Sequence, residues 1–148
     1  MNKRFWLAGV VTTAGAFAFA MLIHGVLLAS DYAANAAAYR PLAEQYSHAG
    51  VLAIAYTLYG FGLTWIYQRG MSAEAPVGQG IRYGIAVALT FSFPNYLIYY
   101  AVLPLHGSLV VKQIVYETFA VIILGVVVAL VSSKRGNKQP TIDRGWLH

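Results

Sequence analysis

Residues 108–131 read SLVVKQIVYETFAVIILGVVVALV, and Lys112 and Glu117 are the only charged side chains in that run. A bilayer core about 30 Å thick is crossed by roughly 20 apolar residues of helix, so this stretch predicts a membrane span. Working outward, the same length and apolarity recur at 80–103, 48–67 and 5–29. The expected fold class is therefore all-α: a polytopic membrane protein, a four-transmembrane-helix bundle over 1–131 with both termini cytoplasmic, and a basic tail at 132–148.

Composition agrees with that reading. Of 148 residues, 59% are hydrophobic and 10% charged, far from the balance of a soluble domain. Ten Lys and Arg against five Asp and Glu give a formal charge of +5, but the cations lie between apolar runs and form no nucleic-acid-binding face. They set topology instead, because positive residues near span ends resist translocation. Lys3, Arg4, Arg69, Arg82, Lys134, Arg135, Lys138 and Arg144 fall on one side, and only Arg40 and Lys112 on the other. The first group predicts the cytoplasmic side, in a bacterial inner membrane. Lys3 and Arg4 before an apolar run, with Ala18-Phe19-Ala20, imitate a signal sequence. The apolar run continues to Ala29, so the segment is expected to remain as an anchor.

Without cysteine there is no disulfide, thiolate nucleophile or Cys-ligated metal. GxSxG, Walker, HExxH and dinucleotide motifs are also missing, so an enzyme would have to rest on isolated residues.

In lipid, helices associate through close packing and polar contacts, so stripes of small residues mark interfaces. The first span carries Gly9, Thr13, Ala16 and Ala20, a stripe whose next step is His24. The second offers Ala53, Thr57, Gly60 and Thr64, and the third Gly80, Gly84, Ala88 and Ser92, with Pro94 bending the helix beyond them. The fourth has few small residues but sets Gln113, Glu117 and Ala120 on one face.

Ionisable groups at membrane depth are costly unless paired, which makes each a candidate site. Asn95 and Glu117 both fall roughly 13 Å from the outer ends of their spans at about 1.5 Å per residue, and His24 about one turn shallower. His24, Asn95, Tyr99, Gln113 and Glu117 are therefore the candidate substrate- or ion-binding residues. Lys112 is expected to snorkel to the outer surface, and Tyr32 and Tyr39 to belong to an interfacial aromatic belt. For a metal, His24, Asp31, His48 and His106 are weak candidates; haem or metal ranks low and no cofactor is expected, since no second deep histidine accompanies His24.

The stretches IHGVLLASDYAANAAAYRP (23–41), GIRYGIAVAL (80–89) and FPNYLIYYAVLP (93–104) resemble an uncharacterised family of small bacterial four-helix integral membrane proteins. That resemblance implies the architecture and brings no activity to any residue. The leading expectation is a structural or accessory membrane protein, self-associating as a homodimer or docking to other membrane subunits. The alternative is a carrier or channel for a small solute or proton near Asn95 and Glu117. A metal- or haem-binding redox subunit comes third. The lipid bilayer is the expected surrounding in each case, with no nucleic acid.

Overall fold

A computed structural model describes residues 3–72 and 75–133, and every regular element among them is helical. Of the tail expected at 132–148, Ser132 ends the last long helix, and 134–148, with Lys134, Arg135, Lys138 and Arg144, lies outside the described residues. Four helices are long and apolar enough to cross a membrane: Lys3–Leu27, Ala49–Arg69, Pro76–Val102 and Gly107–Ser132.

The first begins as α1 (Lys3–Leu22) and ends in a π-helical turn, Ile23–Leu27. Two short helices follow, α2 (Ala29–Ala34) and, after a 3₁₀ turn and Pro41, α3 (Leu42–Ser47). The second long helix, α4 (Ala49–Arg69), closes at Gly70, whose N–H donates to the carbonyls of Ile66 and Tyr67. Pro76 starts α5 (Pro76–Val87) at a position where its fixed φ suits the helix and its missing N–H costs nothing. A second π-helical turn, Ala88–Ser92, joins α5 to α6 (Phe93–Val102), which opens with Pro94 in its first turn. The Pro94 bend expected from the sequence is thus resolved as a widened turn just before the proline. After 103–106 the chain reverses into α7 (Gly107–Ser132). The end of the bundle bearing α2, α3 and 103–106 is called the cap end below, and the opposite end, with Lys3, Gly70 and Ser132, the terminal end.

The helices form two close pairs, α1 with α4 and α5 with α7, joined mainly by α1 against α7. Small residues make both pairs. A Cβ on Gly84 would stand 2.5 Å from the Cα of Ile122, and one on Gly80 2.6 Å from the carbonyl oxygen of Gly125. Gly125, on the helix expected to offer few small residues, returns the contact against the Gly80 carbonyl. Gly9 receives the Phe61 ring, and Gly60 the backbone of Thr13. Ala16, Ala20, Ala88 and Ser92 are buried, extending their stripes. On α4 the stripe is used only in part: Gly60 and Thr64 are buried, whereas Ala53 and Thr57 are exposed.

Two apolar clusters stabilise the ends. Ile23, Leu28, Leu105, Leu109, Val110 and Ala120 close the cap end, with Tyr32, Tyr39 and Tyr96 packed against them. Ala8, Tyr67, Val128 and Ala129 close the terminal end. Large apolar side chains such as Trp6, Val26, Leu58 and Phe119 are exposed around the outside. In a water-soluble monomer an apolar exterior on this scale would be exceptional.

Candidate functional site

The π-helical turn at Ile23–Leu27 carries His24, and the ring meets α7. Its Nε2 lies 2.9 Å from Oε1 of Glu117, and its Nδ1 lies 2.7 Å from the hydroxyl of Tyr32 on α2. Gln113, one turn nearer the cap end on α7, donates from Nε2 to that same hydroxyl at 2.8 Å. Both ring nitrogens of His24 are thus engaged: a singly protonated ring accepts the Tyr32 O–H at Nδ1 and donates Nε2–H to the Glu117 carboxylate, and a doubly protonated ring donates from both nitrogens, with the Tyr32 oxygen accepting from Nδ1 as well as from Gln113. An acid, an imidazole, a phenol and an amide therefore form one continuous relay. The paired side chains of His24 and Glu117 remain 28% and 21% exposed.

Tyr56 and Tyr59 of α4 and Tyr96 of α6 all lie within electrostatic reach of Glu117, as does Tyr32. One polar atom in the cluster has no partner among the described residues: Oε1 of Gln113, whose side chain is buried.

The cap is tied down beside this cluster. Lys112 Nζ donates to both carboxylate oxygens of Asp31, at 2.7 and 2.9 Å. Asn35, buried, donates to the Asp31 carbonyl at 2.8 Å and accepts from the backbone N–H of His106 at 2.8 Å. Tyr39 packs edge-on against Tyr32 with ring centroids 5.0 Å apart. Burial pushes the Tyr32 phenol up to about 12, against a smaller opposing effect of the Gln113 hydrogen bond, and also raises Tyr39.

Of the residues selected from the sequence, His24, Gln113 and Glu117 come together. Asn95 sits half-buried at the start of α6 without a hydrogen bond to them, and Tyr99 is exposed, touching Tyr96 edge-on. Lys112 is an ion-pair partner of Asp31 and not simply a snorkelling side chain. The four histidine and aspartate positions considered for a metal are dispersed. His24 is engaged by Glu117, Asp31 by Lys112, and exposed His48 donates from Nδ1 to the Glu44 carbonyl. The backbone of His106 is held by Asn35. Among the described residues no group of three His, Asp or Glu could hold a metal ion.

No protein-family model, curated protein or solved structure matches this chain. The chemistry of the site is accordingly argued from its own geometry.

Tyr32 and Tyr96 were not among the residues selected from the sequence. Tyr32 lies eight positions after His24, about two helical turns and so on nearly the same face, which was the available signal. Tyr96 follows Ser92 by four positions and so continues the small-residue stripe of α5.

Proposed function

We propose that this chain is an integral membrane carrier, crossing the bilayer four times with both termini cytoplasmic, whose His24–Glu117 cluster takes up and releases a proton in the outer half of the membrane. The observation that carries the reading is the 2.9 Å contact between imidazole and carboxylate, extended through Tyr32 to Gln113. In the ion pair the ring carries two protons; moving one from Nε2 to the carboxylate leaves both groups uncharged, so this transfer changes how strongly the turn after α1 is held to α7. The π-helical turns at His24 and just before Pro94 support the same conclusion, since such widened turns are frequent at working sites in helices. The four long apolar helices and the bias of Lys and Arg toward the termini support the orientation.

The test is infrared spectroscopy of the full chain in lipid nanodiscs, between about pH 4 and about pH 9, a range that brackets ordinary carboxyl and imidazole titration. A protonated-carboxyl band that appears reversibly on acidification, shifts in D₂O and is missing in Glu117→Gln is the expected result. A carboxyl that never titrates over this range overturns the proton reading. If Glu117→Gln then lowers only thermal stability, the cluster is a clasp between helices and the accessory role becomes the better description.

A further inference from the structure

We propose that the ligand of this site is a small organic cation bearing N–H donors, a primary or secondary ammonium, which replaces the protonated His24 ring on the Glu117 carboxylate. The inference deepens the carrier reading and rests on it. Its starting point is the carbonyl oxygen of Gln113. That side chain is 3% exposed, its amide nitrogen is bound within the cluster, and its Oε1 has no donor. A buried acceptor left without a donor is destabilising, and a ligand that supplies the donor removes that cost. Gln113 and Glu117 are one turn apart on the same face of α7, so a single ammonium group can donate to both.

The surroundings select the sign of the charge. Tyr32, Tyr56, Tyr59 and Tyr96, from α2, α4 and α6, lie within electrostatic reach of Glu117. Aromatic rings attract cations through their faces, so tyrosines near a carboxylate favour an alkylammonium group over an anion. No free cation competes there among the described residues, since the nearby Lys112 is bound by Asp31 at the rim. His24 is the one competitor. With His24 protonated and Glu117 ionised the pair is neutral; with an ammonium on Glu117 it stays neutral only if His24 gives up its proton. Binding one organic cation therefore expels one proton, which is the exchange a proton-coupled carrier needs. The ionisable groups facing this exchange are His24 from α1, Tyr32 from α2, Tyr56 and Tyr59 from α4, Tyr96 from α6 and Glu117 from α7, with Tyr39 and the Asp31–Lys112 pair at the rim.

The experiment is calorimetric titration of the full chain in lipid nanodiscs with benzylamine, benzyltrimethylammonium and benzyl alcohol. Benzylamine is expected to bind at least about tenfold more tightly than the neutral alcohol. It should release a proton, read from the dependence of the heat on the buffer. Glu117→Gln should weaken it by about tenfold or more, and Gln113→Leu should weaken benzylamine while sparing benzyltrimethylammonium, which has no N–H to donate. Equal affinity for amine and alcohol in the unmutated protein overturns the proposal without reference to any variant's folding, and so does binding without proton release. If the amine fails while the Glu117 carboxyl titrates in the infrared, the ligand class is wrong and the proton site stands. If the amine binds while that carboxyl never titrates, the exchange fails together with the proton reading.

Discussion

Tyr32 is the middle member of the relay, and its hydroxyl joins α2 to both His24 and Gln113. Tyr32→Phe keeps the ring but leaves Nδ1 of His24 and Nε2 of Gln113 without this partner, so a loss of about 1–3 kcal/mol is expected in thermal or denaturant unfolding. The phenol also sets an alkaline limit. Because burial raises Tyr32 to about 12, the folded state holds that proton more firmly than the unfolded chain. Its stabilising effect is complete below about pH 10, the ordinary tyrosine value, and is lost as pH rises toward about 12. Phenolate absorbance should show a late-titrating tyrosine that is missing in Tyr32→Phe, and the variant's stability should fall less over that interval. Asp31→Asn, by contrast, removes a pair whose lysine is 47% exposed, and should cost no more than about 1 kcal/mol. At this scale the sequence revealed His24, Gln113 and Glu117, because spacing within a helix reports a shared face. It did not reveal the Asp31–Lys112 pair, whose members are 81 positions apart and meet only because a short helix folds back beside the start of α7.

The pairing of α5 with α7 depends on backbone meeting backbone at Gly80, Gly84 and Gly125. Gly84→Ala would put a methyl 2.5 Å from the Ile122 Cα, so the helices must separate, at a cost of about 1–3 kcal/mol in denaturing-detergent unfolding. Gly62 lies within α4 with nothing near its missing Cβ, and Gly62→Ala should stabilise the protein by up to about 1 kcal/mol. The opposite signs test whether close approach, and not glycine content, holds the bundle. The four long helices and the stripe through Gly80, Gly84, Ala88 and Ser92 were readable from the sequence, because apolar length and four-residue spacing depend on local geometry. The assignment of α6 was not. The four-residue step from Ser92 leads to Tyr96, whereas depth counting from the outer ends of the spans selects Asn95 and Tyr99.

Across the whole molecule, the orientation can be checked directly because the chain has no native cysteine. In intact cells a membrane-impermeant maleimide should label Ser47→Cys, and should label Ser72→Cys only after lysis; the reverse pattern would invert the proposed topology. The two helix pairs also meet in an uneven way. Toward the cap end they are linked by His24 with Glu117, Tyr32 with Gln113 and Asp31 with Lys112. Toward the terminal end the links include Arg4 with the Ser133 carbonyl, Gln68 with Ser132, Tyr67 with Gln79 and Tyr83 with the Leu63 carbonyl. Between these lie Ala16, Val121 and Leu124, buried side chains without polar groups. Such a seam is fastened at its two extremities and smooth midway. When one set of fastenings lets go, the other becomes the pivot, and a swing of a few degrees there is magnified into the widest gap beside the released set.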